Sequence, residues 1–223
     1  TAADKRAAIR NSNLDDAAKA VLYRTIASDK DRALLDQFNE AGKDIGRLYT
    51  VIDDINNAET KSGGRSVLLR SGMDNNDMLE VLLGKSLISE PKQEVLENFY
   101  NVKMTTRDFL NVYAKYDEIY EGGQYEGSEK SNAFSRWLDQ QGLSQEQAAV
   151  VREGFKISST NSYDKLKASG LSPDEAAEMD DYIKATMPDN GEDNINTPEA
   201  QLAVATSGAS EEDKLRALSV MMT

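Results

Sequence analysis

Apolar residues recur at spacings of three and four along most of the chain. Ile45, Leu48, Ile52 and Ile55 form one such stripe. Phe109, Val112, Tyr113 and Tyr116 form a second, and Ala176, Met179, Tyr182 and Ile183 a third. Shorter stripes run through Leu79, Leu82 and Leu83, and through Leu215, Leu218 and Met221. This spacing keeps side chains on one face of a helix with 3.6 residues per turn. No segment sustains the alternation of period two that marks a half-buried strand. The pattern predicts an all-α chain of around 14 short helices, 8 to 15 residues each, joined by tight turns.

The polar residues between the stripes fall in register. Four segments share an apolar position, a short gap, a turn and a capping residue: IRNSNLDDA (9–17), LLRSGMDNN (68–76), LDQQGLSQE (138–146) and VATSGASEE (204–212). Their pre-turn positions are Ile9, Leu68, Leu138 and Val204. Their caps, Asp15, Asp74, Ser144 and Ser210, lie 59, 70 and 66 residues apart. Asp and Ser accept hydrogen bonds from the free N–H groups of a helix start. Asp77, Gln147 and Asp213 stand three residues on, as a capping box requires, whereas Ala18 breaks it. Gly72, Gly142 and Gly208 are predicted to end the preceding helix in the left-handed conformation, with Asn13 as the substitute.

A second pattern alternates with the first, in FNEAGKDIGR (38–47), FYNVKMTTRD (99–108) and LKASGLSPDE (166–175). Leu35 and Phe38 match Leu96 and Phe99, then Tyr163 and Leu166. The caps are Asp44, Thr105 and Ser172, the last followed by Pro173 at the first helical position. The expectation is an irregular array of alternating helical hairpins with a repeat of roughly 60 residues. It divides into a partial hairpin at 1–28 and repeats at 29–89, 90–158 and 159–223, forming one continuous helical-repeat domain. Linkers are predicted at 56–65, 121–130 and 188–197, on one side of the assembly. The absence of an initiator Met and the apolar ending LRALSVMMT point to a segment cut from a longer chain.

Composition narrows the chemistry. Hydrophobic residues make up 39% of the chain, enough for a thin core. There is no cysteine, hence no disulfide and no thiolate, and no histidine, the usual general base and commonest metal ligand. The net charge of −13 is spread along the chain and opposes binding to phosphate backbones or anionic membranes. No apolar run approaches a membrane span, and the start has no signal-peptide core.

Several segments resemble sites without completing one. In 188–199, Asp189, Asp193 and Glu199 offer oxygens to calcium, but Asn194 and Ala200 occupy the positions of the EF-hand Gly and bidentate Glu. A capped loop, with Thr197 as N-cap and Pro198 after it, explains the residues better. SGGR (62–65) lacks the strand and the Lys of a phosphate loop, and reads as a flexible linker. GLSQEQAAVVREGF (142–155) has helix-turn-helix form but no basic reading face. The adjacent carboxylates Asp53/Asp54, Asp117/Glu118, Asp180/Asp181 and Glu211/Glu212 point about 100° apart on a helix and read as solvated faces. No catalytic residue, metal site or cofactor site is predicted. Tyr113, Tyr116, Tyr120 and Tyr125 concentrate the aromatic residues. The first three share a helical face suited to helix packing, and the four together are the candidate partner-binding ridge. Trp137 is expected to be half-buried.

The hairpins at Gly170–Glu175 and Gly142–Gln147, with Ser207–Leu218, resemble the degenerate helical repeats of large virion-associated proteins of tailed bacteriophages. The resemblance implies a structural, protein-interaction segment of a tail, internal or ejected protein, present in the virion or in host cytoplasm during assembly. Its partners would be other protein subunits or the rest of a longer parent chain. Two alternatives remain. One is a free acidic inhibitor that mimics nucleic acid and blocks a basic host protein. The other is a non-catalytic domain of a polyvalent enzyme.

Overall fold

The computed structural model describes residues 1–127, 129–186 and 195–222. Its described residues form fourteen helices and no strand. The chain divides into two compact units, Thr1–Ala114 and Lys115–Thr223. Unit 1 contains α1 (Ala2–Arg10), α2 (Asp16–Arg24), α3 (Asp29–Glu40), α4 (Ile45–Asn57), α5 (Lys61–Arg70), α6 (Asn75–Gly84) and α7 (Glu90–Asn101). The division falls within α8 (Thr106–Tyr120). Unit 2 continues with α9 (Glu129–Asp139), α10 (Gln145–Phe155), α11 (Ser162–Ala168), α12 (Pro173–Thr186), α13 (Pro198–Thr206) and α14 (Glu211–Met221). At seven residues, α11 is shorter than the pattern predicts.

Consecutive helices pack as hairpins in α1–α2, α3–α4 and α5–α6, and again in α11–α12 and α13–α14. Packing also skips neighbours. In unit 1, α2 lies against α4 and α3 against α6; in unit 2, α9 packs on α11 and α12, and α11 on α14. Each unit therefore buries its own core. Phe38, Leu48, Ile52, Leu68, Met78 and Leu82 are nearly inaccessible in unit 1. Leu166, Ala176, Val204 and Ala217 are so in unit 2, within a cluster that includes Met179 and Met221.

Helix starts follow side-chain chemistry. Asp15 accepts from the Ala18 N–H at 2.8 Å, Asp44 from Arg47 at 3.0 Å, and Asp74 from both Asn76 and Asp77. Ser210 accepts from the Asp213 N–H. Ser144 and Gln147 form a reciprocal capping box. The second hairpin type has boxes of its own. Asp108 accepts from the Thr105 N–H at 2.8 Å and Glu175 from the Ser172 N–H at 2.8 Å, and each cap hydroxyl accepts in return. Each such cap is worth about 0.5–2 kcal/mol.

Helix ends depart from the sequence pattern. Gly72 and Gly142 are left-handed, but Gly208 and Asn13 are not. α13 is instead left through Ser207 in extended conformation (ψ 164°), and α1 through right-handed Asn11. Conversely, Ser86, Lys103 and Lys156 are left-handed, with φ of 51°, 62° and 54°. In each case the next residue closes back on the helix: Leu87 N–H bonds Leu82 O, Met104 bonds Phe99 O, and Ile157 bonds Arg152 O, at 2.9–3.0 Å. Leu87, Met104 and Ile157 are buried. This is the Schellman arrangement, in which the apolar residue after the turn seals the helix end.

The segment 56–65 is not a linker. Only Ala58–Thr60 connects α4 to α5, and SGGR lies inside α5. Its glycines serve close approach, since a Cβ on Gly64 would sit 2.9 Å from Leu87 Cδ2. The neighbouring Arg65 donates to the Leu87 carbonyl at 2.9 Å. The third predicted linker falls, from 187 to 194, outside the described residues.

Candidate functional site

The four candidate tyrosines are placed in different settings. In unit 1, Tyr113 packs edge-on to Phe109 at 5.6 Å and receives the Arg65 guanidinium on its face at 3.9 Å. In unit 2, Tyr116 stacks on Tyr120 at 4.4 Å and 11°. Tyr116 also meets Phe155 at 5.2 Å, and Tyr120 meets Phe134 at 6.4 Å. These three rings are thus engaged within the chain. Tyr125 instead lines a cleft of about 440 Å³ in unit 2.

One face of α9 forms the wall of that cleft. Ala133, Arg136 and Trp137 of α9, with Gln140 just beyond its end, follow the spacing i, i+3, i+4, i+7 and line the cleft together. The other side carries Phe134 and Leu138 into the core. Trp137 is half-buried and packs edge-on to Phe134 at 5.3 Å. Lys115 and Ile119 of α8, and Asp181 and Lys184 of α12, close the sides, and Gln124 and Tyr125 form the lip.

Behind this wall lies a buried ionic cluster centred on Asp180, which has no solvent exposure. Arg136 and Lys184 pair with it, Lys184 at 3.0 Å, and the Ser162 hydroxyl donates to it. Arg136 also donates to Asp181 at 2.8 Å. Burial works against the Arg136 charge, but Asp180 and Asp181 outweigh it and raise its pKa. Asn132 ties in α11, donating to Ser162 at 2.9 Å and accepting from the Tyr163 N–H at 3.1 Å. Beside it, Arg152 grips Asp164 with two bonds of 2.8 and 3.0 Å, and Ser135 adds a third. Tyr163 donates to Asp139 at 2.6 Å, and burial with this bond raises its pKa.

Unit 1 holds a comparable cluster. Asp31, 3% exposed, accepts from Tyr23 at 2.7 Å, from Asn56 at 3.1 Å and from Lys85. Burial opposes its charge, yet the bonds from Lys85, Tyr23 and Asn56 prevail and lower its pKa. Nothing local in the sequence marks this group, since Lys85 lies 54 residues from Asp31.

The adjacent carboxylates are not uniformly solvated. Asp53, Asp117 and Asp180 are buried, while Asp54, Glu118 and Asp181 beside them are exposed. The 100° step between neighbours, which keeps them from forming a catalytic pair, also sends one inward, where Asp53 and Asp180 meet basic partners. Asp53 meets Arg10, at 2.5 and 3.0 Å. Of the calcium candidates, Asp189 and Asp193 lie outside the described residues. Glu199 sits exposed in the first turn of α13, behind Thr197, which accepts from the Ala200 N–H at 3.2 Å. Among the described residues, no group of three or more acidic side chains is arranged to hold a metal ion.

The seven capping residues stand at helix starts in both units, and their bonds are local. They shape the hairpins. No family model matches the chain, and no curated protein or solved structure matches it.

Proposed function

We propose that this chain is a structural, protein-interaction segment of a larger bacteriophage virion protein, acting through contacts with other protein subunits or with the rest of its parent chain. The observation that carries the interaction reading is an apolar surface on the α13–α14 hairpin. Leu202, Leu215 and Met222 are 65%, 69% and 70% exposed, and Leu215 and Met222 lie two turns apart along one side of α14. Large apolar side chains exposed to this degree favour association. Leu14, Val21 and Leu22 add a second, smaller group in unit 1. The ionic clusters fit a scaffold, because they fix helix against helix at specific positions. The virion assignment rests on the resemblance of the hairpins at 142–147, 170–175 and 207–218. No helix among the described residues is long and apolar enough to cross a membrane, and the charge of −13 disfavours direct contact with nucleic acid.

Mass spectrometry of purified particles tests this reading. Peptides of the chain should appear at a fixed ratio to other particle proteins, and a photo-crosslinking residue at position 215 should join one of them. Peptides found in the infected-cell extract but never in particles would overturn it.

A second reading, an acidic inhibitor of a basic host protein, is favoured by one observation. Glu175, Glu178 and Asp213 line a groove of about 450 Å³ beside Met179 and Tyr182, with no cation among the described residues that line it. A tight, salt-sensitive complex between the isolated chain and a basic host protein would support that reading over the first.

A further inference from the structure

We propose that the α9 cleft of unit 2 is a binding site for a neutral saccharide. The inference goes beyond the interaction role above and uses a different surface.

The cleft's cations are already paired. Arg136 is held by Asp180 and Asp181, Lys184 by Asp180, and Lys115 by Glu118 at 2.7 Å. An anionic ligand would have to break these pairs, and it would meet Glu129, which lines the cleft without an ion-pair partner among the described residues. Apart from the Glu129 carboxylate and the buried Arg136 Nε, which has no hydrogen-bond partner among the described residues, the unspent capacity is neutral. The side-chain amides of Gln124 and Gln140, the Tyr125 hydroxyl and the Trp137 indole N–H make no hydrogen bond to other described residues. Together they offer donors and acceptors of the kind that hydroxyl groups match.

The apolar part of the cleft is aromatic. Its lining aromatic residues are Trp137 and Tyr125, and its lining aliphatic residues are Ile119 and Ala133. A protein hot spot centres on a dry apolar pocket, whereas here amides and paired charges line the cleft beside the aromatic residues. A saccharide ring suits that mixture, because its C–H face can lie on an aromatic ring while its hydroxyls bond at the edges. The indole is also preorganised. Its edge contact with Phe134, a ring with no exposure, fixes its orientation before a ligand arrives. The volume of about 440 Å³ lies in the range of small-molecule sites and accommodates a short oligosaccharide.

Trp137 is the single tryptophan of the chain, so intrinsic fluorescence reads the cleft directly. The whole chain is titrated with maltotriose, cellotriose, mannotriose and triacetylchitotriose, and with inorganic phosphate and an uncharged Gly-Pro-rich decapeptide as comparators. At least one trisaccharide should change the emission saturably, with a Kd of about 1 mM or tighter, and with no dependence on added salt. Tyr125→Ala should weaken binding about tenfold, and Gln140→Ala should weaken it as well. Circular dichroism checks that both variants fold, and calorimetry repeats the strongest titration without relying on fluorescence. Saturation by phosphate or by the decapeptide in preference to every trisaccharide overturns the proposal. So does the absence of saturation by all four trisaccharides, or saturation that Tyr125→Ala and Gln140→Ala both leave unchanged.

Discussion

Asp180 and Asp181 are neighbours in sequence and both pair with Arg136, yet their removal should have very different consequences. Asp180 is fully buried, and its loss leaves the part-buried Arg136 with only the exposed Asp181, the Lys184 ammonium without its counter-charge and the Ser162 hydroxyl without its acceptor. Removing one partner of a buried ion pair costs about 3–5 kcal/mol. Asp181 is 66% exposed at its side chain and still leaves Arg136 bound to Asp180; an exposed pair is worth about 0–1 kcal/mol. Urea unfolding followed by Trp137 fluorescence reads both variants from within the same helix that carries Arg136. With a slope of about 2 kcal/mol per molar urea, Asp180→Ala should lower the midpoint by roughly 1.5–2.5 M and Asp181→Ala by less than about 0.5 M. A double-mutant cycle with Arg136→Met should assign more than about 1 kcal/mol of coupling to the 136–180 pair. Equal losses for the two alanine variants, or no coupling in the cycle, would refute the account of Asp180 as the centre of the cluster.

Other outcomes follow from single features. Asp31 has a lowered pKa, so its contribution to stability is complete above its unfolded value of 3.8 and is lost as pH falls through the lower folded value. Asp31→Asn should therefore flatten the pH dependence of unfolding free energy in the acid range, measured by urea titration at several pH values. Gly84→Ala would place a Cβ 2.7 Å from Leu34 Cδ2 and 2.9 Å from two more Leu34 atoms, against a side chain only 4% exposed. The variant should lose about 1–2 kcal/mol despite the better helix propensity of alanine, as thermal unfolding would show. Lys103→Gly and Lys156→Gly relieve a side chain held at positive φ. Each should gain up to about 1 kcal/mol, and a loss in both would argue against strain at these turns. Leu215→Glu should leave folding stability within about 0.5 kcal/mol of the parent and abolish incorporation into particles.

The sequence was most legible where structure is local. Helices read directly from the stripe spacing, and caps such as Asp15, Asp44 and Ser144 from a hydrogen bond that closes within three residues. Legibility failed where one residue type serves two ends. Glycine both breaks helices and lets them touch, so SGGR read as a linker when Gly64 faces Leu87 inside α5. Left-handed turns at Ser86, Lys103 and Lys156 carry no glycine to announce them, and only the buried apolar residue after each one hints at the geometry. The ionic clusters were beyond reach for a different reason. Asp180 is inseparable from Asp181 until α9 and α11 are packed against α12, and Asp31 finds Lys85 only through the tertiary fold. Of the aromatic candidates, Tyr125 owes its place in a cleft to α9, where Trp137 is set by the ring of Phe134.

The Schellman ends at Phe38–Lys43, Leu82–Leu87, Phe99–Met104 and Arg152–Ile157 are built on Gly, Ser, Lys and Lys at the left-handed position. The backbone bond is the same in all four, so the turn survives the loss of its most recognisable residue at a cost of about 1–2 kcal/mol. Hairpins closed in this way can drift in sequence while their geometry is inherited intact. Kinship between such chains should then be sought in the placement of these turn bonds, a signature that outlasts residue identity.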